Sequence, residues 1–130
     1  NIKKMKFTIA ILFLSFSFQL CAQSSNDVLL VKYSKDQITK MGKTNPDSLK
    51  FIKYSSLNGY YFVDLPEKKN FNSRISGNVV IEDLDSFNFL DLNIEFLKDN
   101  YKYYTVQDKK VLLVVKSIDH IKAELKSNND

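Results

Sequence analysis

The sequence is poor in the residues on which reactive sites most often depend. Its 130 residues include one cysteine, one histidine, three widely spaced glycines, two prolines and no tryptophan. This composition excludes an internal disulfide, a typical zinc site and a glycine-rich phosphate loop. Arginine, which captures phosphate and carboxylate groups with two hydrogen bonds, is present only once, as Arg74. We therefore predict no metal, no cofactor and no catalytic constellation, and hence a protein that is not an enzyme.

An apolar run near the start of the chain predicts export. Met5, interpreted as the start, and Lys6 precede the run Phe7–Leu20, which is too short to span a bilayer comfortably, since a helix needs about 20 apolar residues for that. A basic segment, an apolar segment of this size and a small residue beyond it are typical of a secretory signal peptide. A cut after Ala22 would leave Gln23 first. We assign residues 1–23 to a signal-peptide helix and residues 24–130 to one domain.

Two alternatives concern this leader. Cys21 would be acylated if the chain were a lipoprotein, but such processing normally needs a small residue before the cysteine, and Leu20 stands there. Ordinary cleavage is therefore favoured over a membrane-anchored lipoprotein. A buried N-terminal helix is disfavoured because the run has no polar face.

The charge of the chain changes once the leader is removed. The formal net charge of the whole sequence is +4, and three of its 19 basic residues, Lys3, Lys4 and Lys6, lie in the leader with no acidic residue. The remaining 16 basic and 15 acidic residues leave a net charge of +1. The mature chain therefore gives no reason to expect nucleic acid as a partner.

Helix signals predict three helices in the domain. Ser34 and Gln37 form a capping box for a helix over 35–41 that Gly42 would end. Asn45 followed by Pro46 predicts the start of a second helix, and Gly59 its end. Ser117 predicts the cap of a final helix, whose apolar stripe contains the residues Ile118, Ile121 and Leu125.

Apolar runs and alternation predict the strands. We predict strands over 28–33, 60–66 and 79–84, a strand with strict apolar–polar alternation over 90–96, and a hairpin of strands 101–106 and 111–115. For the first of these segments, a helix starting at Asp27 is the alternative. The last of these, "VLLVV", has no polar alternation and is placed in the middle of the sheet. The prediction is an α+β fold with a mostly antiparallel sheet of four or five strands, two N-terminal helices and one C-terminal helix.

Titratable side chains offer a few candidates for chemistry. His120 and Glu124 are four residues apart on the final helix and can pair, although an exposed pair of this kind is usually an ordinary surface contact. Asp83, Asp85 and Asn88 approach the spacing of a calcium loop, but neither the glycine nor the closing glutamate follows. An envelope hydrolase using His120 with Asp83, Asp85 or Glu95 is one alternative hypothesis.

Tyrosines are the candidates for binding. Tyr60, Tyr61, Tyr101 and Tyr103 lie in predicted strands, where tyrosine most often packs against its neighbours. If the face that holds Tyr101 and Tyr103 is open, it could bind a partner or a glycan.

Several segments resemble small exported proteins of unknown function from flavobacteria and their relatives. The segments are "CAQ", "KYSKDQITKM", "NPDSLKF", "FVDLP" and "KVLLVVKSIDHIKAELK". The resemblance implies export and a single domain, and it implies no activity. Our leading hypothesis is a non-enzymatic module, periplasmic or extracellular, that binds a protein or envelope component through its sheet face or an edge strand.

Overall fold

The computed structural model describes residues 28–65 and 74–129, and the predicted leader with its junction lies outside them. Three helices and four strands make up the described fold: α1 Lys35–Thr44, α2 Pro46–Asn58, β1 Tyr60–Asp64, β2 Ile75–Val79, β3 Lys102–Val106, β4 Val111–Val115 and α3 Ile118–Asn129. Two short 3-10 helices, Leu29–Val31 and Phe89–Leu92, complete it. The α+β class is therefore confirmed.

The strands form one sheet in the order β1-β4-β3-β2. β4 pairs antiparallel with both β1 and β3, whereas β2 pairs parallel with β3. The sheet is thus mixed, and the prediction of a mostly antiparallel sheet was too narrow. The predicted central place of β4 is confirmed: it has a strand on each side, and Leu112, Leu113, Val114 and Val115 are all buried.

Helices α1 and α2 meet at a single residue, Asn45. The amide of Asn45 donates to the carbonyl of Met41, which closes α1, and its side-chain oxygen accepts from the amide of Ser48, which opens α2. The predicted capping box of Ser34 and Gln37 is present. Gly42, which we expected to end the first helix, lies inside α1 instead, because the stronger signal at Asn45 sets the boundary.

The second layer over the sheet is made by the connection between β2 and β3. Seven apolar side chains of this connection close the core: Ile81, Leu84, Phe87, Phe89, Leu92, Ile94 and Phe96. The Phe89 ring is stacked on Tyr60, with centroids 4.8 Å apart, and on Phe96, with centroids 5.5 Å apart. The core therefore lies between one face of the sheet and a largely irregular segment.

Three strand predictions were wrong. The segment 28–33 contains a 3-10 helix in which only Leu29 is buried. The strand predicted over 79–84 lies earlier, as β2 over Ile75–Val79. The segment 90–96 is a 3-10 turn followed by irregular backbone, because Asn93 adopts the left-handed conformation with φ 51° and none of the four described strands pairs with this segment.

Gly59 joins α2 to the sheet and brings the helices to one end of it. The carbonyl of Gly59 accepts from the amide of Lys116, so the end of α2 and the start of α3 lie side by side. The amides of Ile118 and Asp119 donate to the carbonyls of Leu97 and Lys98, which fixes the first turn of α3 against the segment before β3. This end of the sheet is where the polar side chains described next converge.

Candidate functional site

A series of hydrogen bonds links Tyr101, the residue before β3, to helix α3. The Tyr101 hydroxyl lies 2.7 Å from Nδ1 of His120, and Nε2 of His120 lies 3.0 Å from Oε1 of Glu124. Ser117 caps α3 by accepting from the amide of His120. Glu124 follows His120 by one helical turn, which places both side chains on one side of α3.

Glu124 is the centre of this network. Its Oε1 accepts from Nζ of Lys116 at 2.7 Å, and its Oε2 accepts from the hydroxyl of Tyr54 at 3.0 Å. The exposed fraction of the side chain is 17% for Lys116 and 25% for Glu124, so water screens this pair less than an open surface pair. Glu124 thereby connects α2, the end of β4 and α3.

The surroundings of Glu124 favour its ionised form. Partial burial alone would raise the pKa of the Glu124 carboxyl, but hydrogen bonds from Lys116 and Tyr54, with the charges of Lys116 and His120, outweigh burial and lower that pKa. A carboxyl whose pKa is lower in the folded protein than in the unfolded chain stabilises the fold above the unfolded pKa. That contribution is lost as the pH falls through the folded pKa.

The substitution Glu124→Gln tests this contribution. We expect it to lower the free energy of unfolding at pH 7 by about 2 kcal/mol, because it leaves the Lys116 ammonium without its charged partner. Because the lowered pKa makes stability depend on pH, we also expect the wild type to lose more stability than the variant between about pH 5 and pH 3.

The measurement is urea unfolding at a series of pH values, with the exposed Glu82→Gln as a matched control. Equal pH dependence in wild type and Glu124→Gln would show that the Glu124 network does not stabilise the fold. A control that changed as much as Glu124→Gln would lead to the same conclusion.

The donors and acceptors in this series of hydrogen bonds determine which nitrogen of His120 carries the proton. Ionised Glu124 only accepts, so Nε2 of His120 carries the proton, and in the neutral imidazole Nδ1 accepts from the Tyr101 hydroxyl. Burial, followed by the charges of Tyr61, Glu124 and Tyr103, raises the pKa of Tyr101. A raised pKa opposes formation of a nucleophilic tyrosinate, and the hydrogen bond to His120 ties the Tyr101 side chain to α3.

The hypothesised hydrolase carboxylates make other contacts. Asp83 accepts from the hydroxyl of Ser86 at 2.7 Å and from the amide of Asp85, and these bonds lower the pKa of Asp83. Glu95 lines a cavity of about 230 Å³ between α2 and the β2–β3 connection. In residues 28–65 and 74–129, none of these three carboxylates hydrogen-bonds His120.

Asn88, the third residue of the segment whose spacing approaches that of a calcium loop, has a structural role. The side-chain oxygen of Asn88 accepts from the amide of Leu90 and caps a 3-10 turn, while its amide group donates to the carbonyl of Val28. No group of three or more metal-ligating side chains was found within the described residues.

The four candidate tyrosines lie in different environments. Tyr60 packs against the core, where burial raises the pKa of its hydroxyl. Tyr61 follows it on the opposite face of the sheet, with 43% of its surface exposed, and Lys116 Nζ lies 6.0 Å from its ring centre. Tyr103 pairs with Val114, as Tyr61 does, and shares that face; Tyr101 precedes it and bonds His120.

β1 forms one edge of the sheet. The hydrogen bonds at its two ends show which of its residues bond β4 and which point outward. The carbonyl of Gly59 accepts from Lys116, and the amide of Leu65 donates to the carbonyl of Lys110. Odd-numbered residues of β1 therefore bond β4, and the amides and carbonyls of Tyr60, Phe62 and Asp64 point outward. Among the described residues, no hydrogen bond engages these outward groups.

The surroundings of this edge are largely apolar, although Ser56, Ser86 and Asn88 also line the cavity beside it. Val63 is 44% exposed beside Tyr61, and Leu57 is exposed at the end of α2. A cavity of about 270 Å³ lies at the Tyr60 end of the strand, lined in part by Leu57, Tyr60 and Phe87. We call the outward backbone of β1, with Tyr61, Val63 and this cavity, the β1 edge.

No family model, curated protein or solved structure matches the chain. The resemblance to exported flavobacterial proteins therefore stays a prediction. Among the residues that the structure describes, no helix has the length and apolar character needed to cross a membrane.

Sequence reasoning identified part of the hydrogen-bonded network and missed the rest. The four-residue spacing of His120 and Glu124 indicated their pair. Nothing in the sequence indicated that Tyr54, 70 residues earlier, bonds the same carboxylate. Lys116 is eight residues before Glu124. Their side chains meet only because the backbone turns between β4 and α3.

Proposed function

We propose that the chain is an exported, non-enzymatic module that binds an extended segment of a protein along the β1 edge. The observation that carries this proposal is the row of outward amide and carbonyl groups on Tyr60, Phe62 and Asp64. A strand added beside β1 would pair with all three residues. Main-chain hydrogen bonds of this kind supply affinity in proteins that bind partners by strand addition.

Within its five residues, β1 has no bulge, proline or lysine, and its one charged residue, Asp64, stands at its end. Edge strands are commonly interrupted by a bulge, by proline or by lysine, which discourages pairing. β1 reads "YYFVD" and pairs with β4 in an unbroken register over all five residues. The opposite edge differs, because β2 contains Gly77 and its register with β3 is irregular between Ile75 and Gly77. The two edges of the sheet are therefore not equivalent, and β1 is the better template.

Side chains beside β1 would give such binding its selectivity. An added strand places alternate side chains on the two faces of the sheet. On one face it would meet Tyr61 and Val63, and on the other it would meet the cavity beside Tyr60. Both surroundings are largely apolar, so the partner segment that fits best has aliphatic or aromatic residues at alternate positions.

Export is part of the same proposal and is supported by the leader sequence. The apolar run Phe7–Leu20 and the small residue Ala22 favour cleavage that leaves Gln23 first. A partner would then be met in the periplasm or outside the cell. The lipoprotein alternative at Cys21 and the hydrolase alternative stay predictions.

Photo-crosslinking in the native cell tests the proposal. A photoreactive phenylalanine analogue at position 63 is expected to form a protein adduct, whereas the same analogue at the exposed position 80, outside β1, is not. Combining the analogue at 63 with Asp64→Pro should reduce the adduct about tenfold, because proline removes an outward amide. Asp64→Ala keeps that amide and should leave the adduct unchanged.

Two readouts decide the result. Equal adducts at positions 63 and 80, or an adduct that Asp64→Pro does not reduce in a folded protein, would contradict binding at β1. Mass spectrometry of the same isolated chain reads its first residue: Gln23 supports the export proposal, and an intact leader contradicts it.

A further inference from the structure

We propose that the β1 edge pairs with the β1 edge of a second copy of this chain. This inference rests on the proposed function and names a second copy of the chain as the partner. The two strands run antiparallel about a two-fold axis between their Phe62 residues. The result is a continuous sheet of eight strands in which the two β1 strands occupy the centre. A closed two-fold contact of this type uses the same surface on both copies.

The hydrogen-bonding pattern of β1 fits this register. Pairing about Phe62 places Tyr60 of one copy opposite Asp64 of the other, and Phe62 opposite Phe62. These are the three residues whose amides and carbonyls point outward. All three positions become hydrogen-bonded pairs, and each outward group of the strand gains a partner.

The side chains of β1 are self-complementary in the same register. Tyr61 of each copy lies opposite Val63 of the other, and aromatic–β-branched pairs of this kind stabilise antiparallel sheets. On the core face the two Phe62 rings become neighbours. Asp64, the one charged residue of β1, lies opposite Tyr60 rather than opposite another charge, so the register brings no like charges together.

The proposed contact between the two copies is small, so we expect it to be weak. Five residues from each copy bury less surface than the 1,200–2,000 Å² or so of a stable interface. We therefore expect a weak dimer whose population rises with protein concentration in the micromolar range. Local concentration in a confined compartment would decide how much of it forms.

Cysteine pairing tests the register directly. Residues 61 and 63 of the two copies form a non-hydrogen-bonded pair, whose Cα atoms lie about 4.5 Å apart, within reach of a disulfide. Mixing full-length Tyr61→Cys and Val63→Cys proteins under mild oxidation is expected to give a disulfide-linked heterodimer. Each protein alone should give little, because 61 and 61, or 63 and 63, are two residues out of register.

Peptide mapping must place this disulfide between positions 61 and 63, which separates it from any bond made by Cys21. Sedimentation analysis supplies the second arm: wild type and Asp64→Ala should dimerise, and Asp64→Pro should weaken dimerisation about tenfold. Melting curves of all variants verify that they are folded.

Different experimental results would contradict self-pairing and the proposed function. A chain that stays monomeric at all concentrations and forms no 61–63 disulfide, yet crosslinks from position 63 to another protein, overturns self-pairing and keeps the proposed function. A dimer that Asp64→Pro leaves intact overturns self-pairing through β1. A 61–63 heterodimer with an Asp64→Pro-sensitive dimer supports both.

Discussion

Replacing Gly59 with alanine is expected to lower the free energy of unfolding by about 3 kcal/mol. A methyl group at this position would lie 2.5 Å from the carbonyl oxygen of Ser55 and 2.8 Å from the ring of Phe96. Neither neighbour can retreat easily, since one is helix backbone and the other is a core ring. Forcing volume into such a place costs about 1–3 kcal/mol and occasionally more, and here the joint between α2 and β1 must also shift.

Gly42→Ala is the matched control for this substitution. A methyl group at Gly42 would meet its nearest neighbour, Leu49 Cδ2, at 3.5 Å, an ordinary contact distance. Because Gly42 is exposed inside α1, alanine should stabilise the protein by about 0.5–1 kcal/mol through its better helix propensity. Chemical denaturation of both variants measures the contrast, and a Gly59→Ala protein as stable as wild type would show that the α2–β1 joint is not tightly packed.

Phe89→Ala is expected to destabilise the protein by about 3–5 kcal/mol. Phe89 is only 2% exposed, and its ring contacts both Tyr60 and Phe96, so truncation leaves a cavity beneath the second layer. Leu97→Ala, at an exposed apolar residue eight positions later, should cost about 0.5 kcal/mol. Thermal and urea unfolding of both proteins check the prediction, and similar losses for the two variants would contradict the central place of Phe89 in the core.

Local signals located most of the regular elements. Side-chain caps at Ser34, Asn45 and Ser117 act within a few residues, so the sequence contains the whole of their physical cause. The run "VLLVV" likewise indicated a strand with neighbours on both sides, because burial of every residue needs cover on both faces. The caps depend on no distant residue, and the apolar run indicates the burial of its own side chains, so both could be predicted from local sequence.

The segment 90–96 shows where sequence reasoning has less to work with. Its alternation correctly predicted which side chains are more buried: Leu90, Leu92, Ile94 and Phe96 are partly buried, and Asp91, Asn93 and Glu95 are exposed. It did not predict the backbone. Alternation indicates which side of a segment faces the core, whereas a strand also needs a neighbouring strand to bond with, and none of the strands in residues 28–65 and 74–129 lies beside this segment.

The candidate site was predictable to the same extent. The His120–Glu124 pair follows from helical spacing, but Tyr101 joins it only because β3 and α3 meet at one end of the sheet. The parallel pairing of β2 with β3 could not be predicted either, since "ISGNV" carries no strong strand signal of its own. The β1 edge depends on β1 being an outer strand of the sheet, which the residues of β1 themselves do not indicate.

The irregular connection between β2 and β3 has a consequence for engineering the protein. Irregular segments are normally the safest places to insert or delete residues, because little depends on their side chains. Here the segment supplies seven core side chains, whereas helix α1 buries none. A tag, a reporter or a graft is therefore expected to be poorly tolerated in this apparent loop, which reverses the usual rule for choosing an insertion site.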